Sequence, residues 1–149
     1  MHGLDYFCRI NKITLTELCN HLGIKKSAPT GWKNGSRNFP KKYKLEIARL
    51  FQIPDEKLFL LEEKEIGELE RAEIELIFNQ ACLNNAIEQG SSLVIPTFEL
   101  NIKIIKRHIE MYNLLEKVKT NLRGSMINFA SDDFDEKLND IKSLIDKWK

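Results

Sequence analysis

Apolar side chains recur every three or four residues through the first 60 positions of the chain, and short polar breaks interrupt them. This period places apolar groups on one face of a helix, whereas a half-buried strand requires strict alternation. The pattern predicts five short helices, near residues 3–10, 15–22, 25–34, 41–51 and from residue 55 onward. Residues 1–61 are therefore expected to form a helical domain.

Local signals set the ends of these helices. Thr14 precedes the second helix and Glu17 follows three positions later, a pattern typical of a capping box. Gly23 suits a left-handed cap at the end of that helix. Pro29 falls in the first turn of the third helix, where its missing N–H costs little. Trp32 lies four residues after Ala28 and is expected to point inward as the anchor of the third helix.

Two short helices joined by a tight turn, with lysines where the second begins, are typical of a helix-turn-helix that enters the DNA major groove. The residues that carry a family pattern are Leu15-Thr16, Leu18-Cys19, Leu22-Gly23-Ile24, Trp32-Lys33-Asn34-Gly35, Phe39-Pro40, Ile47-Ala48 and Phe51-Gln52-Ile53-Pro54. By these residues, positions 4–60 resemble the Cro and lambda-repressor-like regulators of phages, plasmids and other mobile elements.

The resemblance implies a sequence-specific repressor that binds double-stranded DNA at a pseudo-palindromic operator in its own promoter, as a homodimer. It implies base-edge contacts from Lys26, Ser27 and Thr30. The residues implied to bind phosphate are Lys25, Lys33, Asn34, Arg37, Lys41, Lys42 and Lys44. Gly31 stands where many family members carry a base-reading side chain, so readout at that position is expected to be lost.

The second part of the chain, residues 62–149, is expected to form an acidic helical domain that dimerises or acts as an effector. Residues 62–90 are predicted to form one long helix that ends at Gly90. The apolar residues expected along that helix are Ile66, Leu69, Leu76, Leu83 and Ile87.

Residues 93–104 admit two interpretations, because alternation favours a strand while Ile102, Ile105 and Ile109 continue at helical spacing. We favour a short strand or extended segment at 93–96, followed by a helix that Gly124 caps. A last helix is predicted from the stripe of Phe134, Leu138, Ile141, Ile145 and Trp148. The expected fold class is mainly α, with a short β element as an open alternative.

Charge divides the chain in the same way as the helix pattern. Residues 1–60 hold 11 Lys and Arg against 5 Asp and Glu, whereas residues 61–149 hold 12 against 17. A basic first part favours a polyanion partner, and an acidic second part is not expected to lie on DNA.

Several other classes are not expected. No apolar run reaches about 18 residues, and the start of the chain lacks a signal-peptide pattern, so we expect a protein of the bacterial cytoplasm that does not enter membranes. Cys8, Cys19 and Cys82 form no CxxC pair and are expected to be small buried or incidental side chains. No catalytic constellation, metal site or cofactor motif is present, so an enzyme is not predicted.

Two alternatives give the second part of the chain another role. The whole-chain plan resembles two-domain phage anti-CRISPR proteins, in which a Cro-like domain represses its own promoter. In that case residues 62–149 would inhibit an RNA-guided CRISPR nuclease, since acidic surfaces can occupy DNA-binding channels. The other alternative is an antitoxin, whose second half would bind a toxin.

Overall fold

A computed structural model describes the backbone of residues 1–127 and the side chains of residues 1–121. The described part is helical and contains no strand, which confirms the mainly α fold class for these residues. Its helices are α1 (Gly3–Ile10), α2 (Leu15–His21), α3 (Ala28–Lys33), α4 (Lys41–Phe51), a 3₁₀ helix (Asp55–Leu61), α5 (Glu68–Glu88) and α6 (Ile95–Ile127). The predicted last helix, with Phe134 to Trp148, lies outside the described residues.

The local helix signals act as expected. The Glu17 N–H donates to the Thr14 hydroxyl at 3.1 Å, and the Thr14 N–H donates to the Glu17 carboxylate at 2.7 Å, which completes the capping box of α2. Gly23 follows α2 with φ +64°, a left-handed conformation that side chains with a Cβ disfavour. Pro29 lies in the first turn of α3. The turn between α2 and α3 is therefore set by short-range chemistry.

The main hydrophobic core joins the four α-helices that precede the 3₁₀ helix. Leu4, Phe7, Leu18 and Ile47 are almost fully buried there, and the rings of Phe7 and Phe51 lie nearly parallel with centroids 6.0 Å apart. Interdigitated side chains of this kind hold short helices that would not be stable alone.

Helix α5 also belongs to this core. Ile74 and Ile77 of α5, with Ile66 just before it, lie in the same buried cluster, and the Tyr6 hydroxyl of α1 donates to the Glu75 carboxylate at 2.6 Å. The chain accordingly divides into a compact unit of Met1–Lys106 and a second unit of Arg107–Lys149. The division expected after residue 61 thus does not coincide with a break in packing, because α5 buries its apolar face against α1.

The start and the buried face of α5 differ from the prediction. The helix begins at Glu68 rather than at residue 62, because residues 62–66 are held in a non-helical path by contacts to the N-terminal residues. Its most buried apolar side chains include Ile74 and Ile77, whereas Ile87, expected on the apolar stripe, is 57% exposed.

The strand favoured at residues 93–96 was wrong. Residues 92–94 form a turn, and α6 begins at Ile95 with Pro96 at its second position, where no intrahelical N–H is lost. A strand needs a partner strand for its main-chain hydrogen bonds, and the described residues contain none. Helix α6 also continues past Gly124, which was expected to cap it, as far as Ile127. None of the helices within residues 1–127 has both the length and the apolar character needed to cross a membrane.

Candidate nucleic-acid interface

Helix α3 is fixed on one side and open on the other. Pro29 and Trp32 are buried, whereas Lys26, Ser27 and Thr30 are all exposed. The helix begins at Ala28 rather than at residue 25 as expected, because residues 25–28 form a turn closed by the Ala28 N–H and the Lys25 carbonyl at 2.9 Å. Ser27 is the N-cap residue, yet its side chain makes no capping hydrogen bond. Its hydroxyl can therefore bind another group.

Trp32 is a core anchor, as predicted. Its ring stacks on Phe39 with centroids 4.3 Å apart and lies 5.7 Å from the ring of Tyr43. Only 9% of Trp32 is exposed, so it is not available to stack on a base. These three rings join α3 to the beginning of α4, and this packing sets the direction of α3.

Some of the predicted phosphate-binding cations are free of carboxylates. Lys25, Arg37 and Lys41 are exposed, and none of them forms an ion pair with a carboxylate of the described residues. Asn34 is also exposed; its side-chain oxygen accepts from the Ser36 N–H at 3.0 Å, which leaves its amide N–H groups open. These side chains can bind phosphate without first breaking an internal ion pair.

The other predicted phosphate-binding lysines have internal partners. Lys33 reaches Asp5 of α1 with both carboxylate oxygens within 3.0 Å, so a phosphate would compete with that carboxylate. Lys44 pairs with Glu62. Lys42 lies 3.8 Å from Glu46 and stays largely exposed. The geometry thus gives Lys33 and Lys44 roles in holding the fold that the sequence did not suggest.

Gly31, at the position where many family members carry a base-reading side chain, is covered by another residue of this chain. The residue is buried, and a Cβ built there would lie 3.1 Å from the side chain of Arg37. The Arg37 N–H also donates to the Gly31 carbonyl at 3.0 Å. Since the glycine leaves room for it, the aliphatic stem of Arg37 lies across Gly31 in the middle of α3.

Lys64 joins this surface, although the sequence placed it in an acidic stretch. Its ammonium nitrogen lies 3.9 Å from the point that a Cβ on Gly35 would occupy, just after α3. Neither spacing nor composition signals this proximity, because three glutamates surround Lys64 in the sequence and the approach depends on the tertiary fold.

Two cysteines lie buried in the described residues outside this interface. Burial raises the pKa of the Cys8 thiol to about 12 and also raises that of the Cys19 thiol, so both remain protonated and poor nucleophiles near neutral pH. No group of three or more His, Cys, Asp or Glu side chains in residues 1–121 is placed to hold a metal ion.

A shallow open groove of about 690 Å³ between α2 and α4 is lined by Asn20, His21, Leu22, Gly23, Glu46, Arg49 and Leu50.

No protein-family model, curated protein or solved structure matches this chain.

Proposed function

We propose that the first compact unit binds double-stranded DNA with sequence preference, and that the chain acts as a homodimeric repressor at a pseudo-palindromic site. The observation that carries this proposal is the arrangement of α3. Lys26, Ser27 and Thr30 are exposed at its start, while Pro29 and Trp32 fix its opposite side in the core.

The dimensions and chemistry of α3 suit the major groove. An α-helix with its side chains is about 10–12 Å across, which matches the major-groove width of about 12 Å, and the six residues of α3 span about 9 Å along its axis. A lysine ammonium can donate to the guanine acceptors, and serine and threonine hydroxyls can pair with several base edges. Lys25, Arg37 and Lys41 flank this surface without internal ion pairs, and they would contact phosphate and fix the register of α3.

The test of DNA binding is selection of duplexes from a randomised library by the full chain, followed by affinity measurements on the enriched site. Lys26→Ala should weaken binding to the enriched duplex by about 1–3 kcal/mol and relax the base preference at one base pair. Lys41→Gln should weaken binding to the enriched and scrambled duplexes equally and flatten the salt dependence. Lys106→Gln, which changes an exposed lysine of α6, is the control. A library that shows no enrichment would refute the proposal.

Exposed apolar side chains on α6 support self-association. In the first unit, Leu100 is 58% exposed and Ile104 43% exposed; in the second unit, Leu115 is 47% exposed. Burial of such groups contributes about 25 cal/mol per Å² of apolar surface. Sedimentation should give a dimer that Leu100→Gln or Leu115→Gln weakens, while Leu93→Gln in the preceding turn has no effect. A chain that stays monomeric at every concentration would refute the proposed homodimer.

A further inference from the structure

The segment that carries Lys64 is fixed rather than a free linker. The Gly3 N–H donates to the Glu63 carbonyl at 2.8 Å, and the Ile66 N–H donates to the Met1 carbonyl at 3.1 Å. These two main-chain hydrogen bonds lie on either side of Lys64. Ile66 is only 4% exposed, so the segment is also anchored in the core. The backbone of Lys64 is therefore held in one place.

The ammonium group of Lys64 lies at the end of α3. Its nitrogen is 3.9 Å from the Cβ position of Gly35, and Gly35 directly follows Asn34, the C-cap residue of α3. The exposed amide N–H groups of Asn34 have no partner in the described residues. Lys64 and Asn34 thus bring hydrogen-bond donors to the same end of α3.

The Lys64 ammonium group makes no close ion pair in the described residues, although the neighbouring Glu63 and Glu65 make the net charge of this short segment negative. Lys64 is exposed and forms no ion pair with a described residue, while Glu62, the acidic side chain that precedes it by two positions, is paired with Lys44. A cation on a fixed backbone loses less conformational entropy when it binds an anion than one on a flexible linker does.

We propose that Lys64 is a further phosphate-binding residue of this interface, which contacts the DNA backbone beside the end of α3. The inference rests on the proposed function. It extends the interface beyond the helix-turn-helix to the segment between the 3₁₀ helix and α5. Lys64 would position the protein on the duplex and carry no base preference of its own.

The test compares the full-length wild type with Lys64→Gln, Lys64→Arg and Lys106→Gln, using fluorescence anisotropy on the enriched and scrambled duplexes between 50 and 200 mM NaCl. Losing one phosphate contact makes the negative slope of log affinity against log salt less steep by about 0.9. The affinity ratio of wild type to Lys64→Gln should therefore be about 3.5-fold larger at 50 mM than at 200 mM. Lys64→Arg should keep the wild-type slope, and Lys106→Gln should match the wild type.

The outcomes separate the inference from the proposed function. If the wild type binds duplexes and Lys41→Gln makes the salt dependence less steep while Lys64→Gln does not, Lys64 makes no phosphate contact and only this inference falls. If Lys64→Gln weakens binding with an unchanged slope and a lower free energy of unfolding in urea, Lys64 stabilises α3 and the inference also falls. If the wild type binds no duplex, the proposed function fails and this inference fails with it.

Discussion

Replacing Tyr6 by phenylalanine tests the finding that α5 is part of the first compact unit. The Tyr6 hydroxyl of α1 donates to the Glu75 carboxylate of α5 at 2.6 Å, across 69 positions of sequence. The ring is only 6% exposed, and phenylalanine preserves its packing while removing the hydroxyl. A hydrogen bond to a charged group contributes about 1.5–3 kcal/mol, so the free energy of unfolding should fall by about that amount.

Urea unfolding of the full chain measures this loss, and a double-mutant cycle assigns it. Tyr43→Phe is the matched control, because the Tyr43 hydroxyl has no hydrogen-bond partner in the described residues; its effect should stay within about 0.5 kcal/mol. Glu75→Ala should lose most of its effect in the Tyr6→Phe background. Losses that add to within about 0.5 kcal/mol would show that the two side chains do not interact, and would refute the packing of α5 on α1 through this bond.

Alkaline pH should also destabilise the fold through Tyr6. Burial and the hydrogen bond to Glu75 raise the pKa of Tyr6 from 10.0 to about 12. Since the pKa is higher in the folded than in the unfolded chain, the stabilisation is complete below pH 10 and is lost as the pH rises to 12. Cys8, whose pKa rises from 9.0 to about 12, adds a loss of the same sign that begins near pH 9. Tyr6→Phe should therefore lose stability less steeply than the wild type between pH 10 and 12, and equal slopes would refute this assignment.

Two further substitutions test local features by urea unfolding. Gly3→Ala should lower the free energy of unfolding by about 1–3 kcal/mol or more, because the added Cβ would overlap the backbone carbonyl of Leu60. The control Gly67→Ala, whose Cβ would meet only the flexible carboxylate of Glu70, should lower it by less than about 1 kcal/mol. Equal losses for the two variants would contradict the close approach at Gly3. Thr14→Ala should lower the free energy of unfolding by about 1 kcal/mol, because it removes the capping box of α2, whereas Thr16→Ala at an exposed position should lower it much less. A Thr14→Ala variant as stable as the wild type would show that the cap contributes nothing.

The features that the sequence predicted correctly depend on neighbours within a few positions. The cap at Thr14 needs only Glu17, and the turn after α2 needs only a residue that tolerates a positive φ at Gly23. The bounds of α4 agree with the prediction because Pro40 precedes it and Gln52 ends it in a left-handed conformation. Such interactions are visible in a short window of sequence.

The features that the sequence did not predict depend on tertiary contacts. Residues 62–66 are rich in glutamate, a good helix former, yet they are not helical because Met1 and Gly3 take up their main-chain groups. The pairing of Lys33 with Asp5 joins positions 28 apart, and nothing local indicates it. For the same reason, the sequence identified the exposed start of α3 but did not show which neighbouring lysines have internal partners.

The brevity of α3 limits how much information one copy could extract from DNA. With Gly31 covered by Arg37, the proposed base-reading set would consist of Lys26, Ser27 and Thr30. A side chain that identifies one base pair among four supplies about two bits, so one copy reads about six bits and two copies about twelve. Locating one site among about 10⁶ competitors requires about twenty bits. A repressor built on this helix would have to obtain the difference from the shape and stiffness of its operator, and base pairs it never touches would then be as restricted as those it contacts.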